Sequence, residues 1–189
     1  QQVIMLIPEI ALTFQTVSRF YRRFGERVSV MHSRLSQGEK FDQFERAKAG
    51  EIDIMIGPRS ALFTPFERLG LIVMDEEHET SYQSEMPPKY HAREVAVHRA
   101  AMTGASVILG SATPSLESYY RAQKGRYRLF TLTHRAGGAV LPKIWVTDLR
   151  EELERKNRSI FGGKLTELME DRLQKREQII LFLNRRGYA

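Results

Sequence analysis

Cysteine is absent from the sequence, which excludes disulfide frameworks and thiolate metal sites within these residues and accords with a reducing, intracellular setting. Tryptophan occurs once, as Trp145. No apolar stretch approaches the ~20 residues that a membrane-spanning helix needs, and no signal peptide opens the chain. The five histidines, His32, His78, His91, His98 and His134, show no zinc-ligand spacing. There is no Gly-x-x-x-x-Gly-Lys-Ser/Thr, the loop that cradles nucleotide phosphates with its backbone N–H groups. Neither internal repeats nor low-complexity segments are present. There is also no initiator Met. The chain opens on Gln1-Gln2-Val3, directly into an apolar run, and closes on Gly187-Tyr188-Ala189 just after another, so both ends read as cuts through a longer polypeptide.

What is present is an uneven charge. The formal net charge is +6. Residues 1–120 hold 13 Lys and Arg against 15 Asp and Glu, whereas residues 121–189 hold 16 against 8. A basic half beside a near-neutral half favours a polyanionic partner, although a soluble basic surface reads the same from charge alone.

Apolar runs alternate with helical patterns. Val3 to Ile7 reads as a strand stopped by Pro8, and Leu12 to Phe24 as a helix with Val17, Phe20, Tyr21 and Phe24 on one face. Val28 to Met31 is a second strand. Ser36-Gln37-Gly38-Glu39 has capping-box spacing and opens a helix that Gly50 ends. Ile52 to Ile56 is a third strand. Leu71-Ile72-Val73-Met74 is a fourth, expected to be buried on both faces. Glu79 to Lys89 is a loop, His91 to Met102 a helix, and Ser106 to Leu109 a fifth strand. Thr113 is expected to cap the next helix, with Pro114 at its first position. Such alternation predicts an α/β fold with a parallel, doubly wound sheet flanked by helices. Beyond it, Tyr127–Thr133, Ile144–Thr147 and Gln178–Leu183 read as strands, with a break at Gly137-Gly138 and Pro142. Lys164–Lys175 reads as a helix, and Trp145 as a core residue.

In a parallel sheet the loops after all five strands share one edge, where α/β proteins place their chemistry. Those loops carry Pro8-Glu9, His32-Ser33-Arg34, Gly57-Pro58-Arg59-Ser60, Asp75-Glu76-Glu77-His78 and Gly110-Ser111-Ala112-Thr113. Asp75 is suited to holding Mg²⁺ through water beside nucleotide phosphates, and Glu76 to polarising the attacking water. An acidic loop that merely follows a strand is the plain alternative.

Asp-Glu-Glu-His after one buried strand and Ser-Ala-Thr after the next resemble motifs II and III of the superfamily 2 helicases, whose lobes are RecA-like. Longer strings narrow the resemblance. Leu6-Ile7-Pro8-Glu9-Ile10-Ala11-Leu12-Thr13, Arg59-Ser60-Ala61-Leu62-Phe63, Tyr90-His91-Ala92-Arg93, Leu109 to Ser118 and Leu181 to Ala189 are similar, in order, to the primosomal replication-restart helicases. The resemblance implies that residues 1–140 form most of the first RecA-like lobe, without its phosphate-binding strand and loop. Residues 141–189 would be a connector and the beginning of the second lobe.

It further implies catalytic and ATP-binding roles for Asp75 and Glu76, with Mg²⁺ on Asp75. His78, Ser111 and Thr113 would couple nucleotide state to DNA; capping is the alternative for the two hydroxyls. DNA contacts would fall on Pro8, Ser33, Arg59, Ser60, Tyr82, Tyr90 and Arg93. Ordinary turn chemistry, core packing for Tyr82 and a surface ion pair for Arg93 are the alternatives, and Glu9 is expected to orient a neighbour. Asn184-Arg185-Arg186 resembles motif IV, with no role assigned to either arginine. Zinc is expected only beyond Ala189.

The implied parent is a cytoplasmic, nucleoid-associated bacterial enzyme with no membrane partner. It would move 3′→5′ on single-stranded and forked DNA using ATP, and would act with primosome proteins, single-stranded DNA-binding protein and the replicative helicase loader. Phe14 stands where the family commonly has Pro, Pro58 where it has Thr, and Lys89 and Glu94 where it has Arg and Asp. These 189 residues alone are expected to hydrolyse little ATP and to be marginally stable, with an open sheet edge. Two rivals remain: a non-catalytic single-stranded-DNA-binding module, and a RecG-like branch-migration motor.

Overall fold

The computed structural model describes residues 1–134, 141–154 and 156–182. Gly137-Gly138, Leu183 and the Asn184-Arg185-Arg186-Gly187-Tyr188-Ala189 string lie outside them. The chain divides into two compact units, Gln1–Phe130 and Thr131–Ala189.

The first unit is built on five parallel strands, β1 (Gln2–Leu6), β2 (Val28–Val30), β3 (Ile54–Gly57), β4 (Leu69–Met74) and β5 (Ser106–Leu109). Their order is β2-β3-β1-β4-β5. The connections hold α1 (Phe14–Phe24), α2 (Gln37–Lys48) and α3 (Ala92–Thr103), and α4 (Leu116–Gln123) follows β5. Alternation along β1 explains the two layers. Ile4 and Leu6 enter a large core with Met55, Ile72, Met74 and Ala92, Ala96 and Ala100 of α3, while Val3 and Met5 meet Ile54, Ile56 and Phe20 of α1.

The five strands pair without a gap, so a further strand can join only at the β2 or β5 edge. At β5, Ser106 and Ile108 face solvent. β4 is not buried equally on both faces as expected: Ile72 and Met74 are fully buried, Leu71 and Val73 only half-buried. The α1 face is likewise only part covered, with Tyr21 and Phe24 exposed.

Local signals act as anticipated at the helix ends. Ser36 and Glu39 form a reciprocal capping box on α2. Gly57 closes β3 because a Cβ there would lie 2.6 Å from the Met31 carbonyl oxygen. One expected cap is corrected. α4 begins two residues later than predicted, and its N-cap is Ser115, whose hydroxyl accepts from the Ser118 N–H; Thr113 and Pro114 precede the helix.

The second unit holds α5 (Leu149–Glu154) and α6 (Gly163–Gln174) among its described residues. The predicted strands over 127–133, 144–147 and 178–182 are irregular chain instead. Apart from the Tyr127 N–H, which donates to Arg121 O at 3.3 Å, no backbone partner among the described residues pairs these runs with a neighbouring strand, and an apolar run without a partner has no reason to extend. Trp145 is corrected as well: it is half-exposed, with Lys143 Nζ 4.0 Å and Lys164 Nζ 5.0 Å from its ring centroid.

Candidate functional site

Beyond β4 the sheet ladder runs on into the acidic segment. The Asp75 N–H donates to Leu6 O at 2.9 Å, Gly110 N–H to Met74 O at 2.8 Å and Glu77 N–H to Gly110 O at 3.0 Å. The acidic turn is therefore sewn to β1 on one side and to the loop after β5 on the other. Asp75 is exposed, and its Oδ1 accepts from the Glu76 N–H at 3.1 Å. Glu76 has φ +47, a left-handed conformation uncommon outside glycine. Such strain persists where surrounding bonds over-determine it, and it collects at functional sites.

His78 joins the two loops. Its Nδ1 is 2.7 Å from Ser111 Oγ and 3.7 Å from Glu76 Oε2, and Thr113 Oγ1 is 3.5 Å from Nε2. Ser111 Oγ also accepts from the Thr113 N–H at 3.0 Å. Asp75, Glu76, His78, Ser111 and Thr113 thus form one contiguous polar cluster, and all but Glu76 and Ser111, which are half-buried, are exposed.

Glu77, given no role by the sequence, is the anchor beneath this cluster. It is 2 % exposed, and its Oε1 accepts from the Ser115 N–H at 2.6 Å. Oε2 accepts from Ser115 Oγ at 3.1 Å, Ser118 Oγ at 2.9 Å and Arg93 Nη1 at 3.3 Å. Burial alone raises the Glu77 carboxyl; the Ser115 N–H, the two hydroxyls and Arg93 outweigh it and hold its pKa below the ordinary range. Arg93 is itself 6 % exposed and also bonds Ser115 and Ser118. This corrects its expected place on DNA: a buried guanidinium spent on Glu77 and two hydroxyls has no face for phosphate. The signal for the anchor was the spacing of Ser115 and Ser118, one helical turn apart on α4.

Tyr82 is corrected in the same way. It is 1 % exposed, and its hydroxyl donates to the Asp75 carbonyl at 2.7 Å, so no ring face is open to a base. Burial, with the carboxylates of Asp75, Glu76 and Glu79, pushes its phenol well above the ordinary value. Arg59 Nη1 donates to Ser81 O and Gln83 O at 2.8 Å each, fastening the turn that holds Tyr82 to the end of β3. Pro8 is buried and its carbonyl accepts from the Ala11 N–H, leaving its ring, not a polar group, to shape the edge. Glu9 Oε1 accepts from the Ser33 N–H at 2.9 Å; the Ser33 contacts lower its pKa. Ser33 and Ser60 are exposed. Tyr90 is half-buried and meets Phe63 edge-on, with ring centroids 5.5 Å apart. His91 caps α3, its Nδ1 accepting from the Arg93 N–H; burial, then Arg93, lowers its pKa.

No group of three or more His, Cys, Asp or Glu among the described residues makes an all-protein metal cage. Mg²⁺ does not need one, since it is held by one or two carboxylates, water and substrate phosphates. Exposed Asp75 beside Glu76 fits that requirement. No helix among the described residues is long and apolar enough to cross a membrane.

A parallel doubly wound sheet with its polar loops gathered at the strand ends defines a RecA-like lobe. The chain belongs to the DEAD/DEAH box helicases, whose family description matches residues 1–122. Across its whole length it is similar to proteins named Replication restart protein PriA. It is 52% identical to that of Bacillus subtilis (strain 168), 47% to that of Chlamydia trachomatis serovar D and 45% to that of Haemophilus influenzae. It covers 24%, 25% and 26% of those proteins, so it spans about a quarter of their length. Among solved structures, the C-terminal domain of S. cerevisiae Dbp5 is similar at 15% identity and TM-score 0.40, over 67% of this chain and 71% of that one.

Proposed function

We propose that this chain is the catalytic-edge portion of an ATP-dependent 3′→5′ DNA helicase that acts at stalled or abandoned replication forks and restarts replication through primosome assembly. The observation that carries the reading is the bond between His78 and Ser111, which ties the Asp75-Glu76 strand end to the loop after β5. Residues placed to respond to a nucleotide and residues placed to pass that response on are thereby one unit.

In this reading Asp75 holds Mg²⁺ through water, and Mg²⁺ supplies neutralisation of the phosphate charge. Glu76 orients the attacking water. His78 exchanges partners between Glu76 and Ser111, both within reach, so that one rotamer change transmits loss of the γ-phosphate to the Ser111–Thr113 loop. Ser33 and Ser60 hydroxyls, backbone N–H groups and the cations beside them contact phosphates of single-stranded DNA without reading sequence. Tyr90 borders the same track. The phosphate-cradling loop is not among these residues, so binding of ATP is assigned to the remainder of a full-length protein. Zinc, the primosome partners, single-stranded DNA-binding protein, the helicase loader and a cytoplasmic, nucleoid-associated location belong to that whole protein. The proposed division puts most of lobe 1 in residues 1–140 and the start of lobe 2 in 141–189.

The test is unwinding by a full-length protein carrying this chain, on forks with either a 3′ or a 5′ single-stranded arm. The expected result is ATP-dependent unwinding with a 3′ arm, loss of DNA stimulation in His78→Ala, and retained ATP binding in that variant. Unwinding of the 5′ substrate alone, or a His78→Ala protein that DNA still stimulates fully, contradicts the reading.

A further inference from the structure

The edge formed by the ends of β1, β2 and β3 holds an open cavity of about 710 Å³, within the ~300–1,000 Å³ of small-ligand sites. Its walls are aromatic and its rim is cationic. On α2, Gln37, Lys40, Phe41 and Phe44 fall at i, i+3, i+4 and i+7 and make one stripe along the helix. The inner part of the stripe is core, because Phe44 packs against the main cluster. The outer part is uncovered: Phe41 is 62% exposed and still lines the cavity. The same cavity is lined by Phe63, at the end of the 3-10 turn Arg59–Phe63. Ala61 and Leu62 of that turn are fully buried, whereas Phe63 is 50% exposed, braced edge-on by Tyr90.

Two large rings held open to solvent in one cavity fit a ligand with apolar faces. The rim supplies His32, Lys40 and Arg59. The only acid in the lining is Glu9, whose carboxylate already accepts from the Ser33 N–H. Ring faces between cations are the combination that holds single-stranded nucleic acid, the bases stacking and the phosphates lying along positive charge.

We propose that this cavity receives one unstacked base of the single-stranded DNA, with Phe41 and Phe63 as its stacking faces and Lys40 and Arg59 beside the adjoining phosphates. The inference rests on the reading of this edge as a DNA track and adds a base-binding element to contacts otherwise made to phosphate. It also replaces Tyr82, whose ring is buried, as the aromatic platform. Because every base has a π-face, the site holds without reading sequence.

The test is binding of a full-length protein carrying this chain to a fluorescent oligothymidylate and to an abasic sugar-phosphate oligomer of the same length. Phe41→Leu and Phe63→Ala are measured singly, with Tyr120→Ala as an equally exposed aromatic outside the cavity and circular dichroism as the check on folding. The expected result is a loss of about 5- to 100-fold in affinity for oligothymidylate with each cavity variant. The abasic oligomer is expected to bind all variants alike, and Tyr120→Ala to match wild type on both. Cavity variants that bind oligothymidylate as wild type does overturn the base pocket while leaving the DNA track standing, and so does an equal loss on both oligomers. A wild-type full-length protein that binds neither oligomer overturns the DNA track itself.

Discussion

Residues 1–130 and residues 131–189 both carry short apolar runs, yet among the described residues only the first set becomes a sheet. Val3–Leu6 and Ile54–Ile56 pair with each other and with further strands, and their side chains vanish into two clusters. Ile144, Val146, Ile180 and Phe182 are of the same character but are 80%, 93%, 95% and 86% exposed. Among the described residues, all the buried hydrophobic ones lie between Ile4 and Ala100. Hydrophobic pattern selects a strand only where a neighbouring strand can satisfy the backbone; burial follows pairing.

The two regions can be followed separately. Trp145 is the only tryptophan and belongs to the second unit, whereas far-ultraviolet circular dichroism is weighted to the sheet and helices of the first. The largest expected effect comes from cutting the Glu77–Arg93 pair. Arg93→Ala leaves the buried Glu77 carboxylate without its countercharge, with only the Ser115 and Ser118 donors to hold it, and should cost about 3 kcal/mol, read as a lower urea midpoint by circular dichroism with Trp145 emission unchanged. A loss under about 1 kcal/mol would class the pair with surface ion pairs.

Acid should act through the same residue. Because the folded-state pKa of Glu77 lies below its ordinary 4.5, its stabilising contribution is complete above that value and is lost as pH falls through the depressed one. Stability by circular dichroism should therefore fall more steeply below pH 4.5, and Glu77→Gln should fall less steeply over that window. An unchanged slope in Glu77→Gln would locate the acid sensitivity elsewhere.

Smaller effects sharpen the contrast. Tyr82→Phe removes one buried hydrogen bond to the Asp75 carbonyl and should cost about 1–2 kcal/mol. Ser36→Ala removes the α2 cap and should cost about 1 kcal/mol. Lys143→Gln should change Trp145 emission and leave the circular dichroism midpoint where it was; a shift in that midpoint would show the two regions to be coupled.

The sheet was legible because each of its strands is a short apolar run bounded by turn residues, and the capping box at Ser36 was legible because it is purely local. Asp75, Glu76, His78 and Ser111 were legible as residue types at strand ends, which a parallel sheet must bring to one edge. What sequence did not show is orientation. Tyr82 and Tyr90 are alike in the sequence, yet one points under Asp75 and the other lies against Phe63. Arg93 reads as a surface cation until Glu77, Ser115 and Ser118 are seen to converge on it. Such contacts join residues 16 to 25 positions apart, so the local spacing of Ser115 and Ser118 could mark one side of the anchor but not its partners.

The account rests on Glu76 as the residue that orients water beside Asp75, and the most direct measurement is ATP hydrolysis by a full-length protein carrying this chain, wild type against Glu76→Gln, with and without forked DNA. DNA-stimulated turnover is expected in the wild type and its loss in Glu76→Gln while ATP is still bound. A wild type that binds DNA without stimulated turnover, or a Glu76→Gln protein that turns over normally, would contradict it.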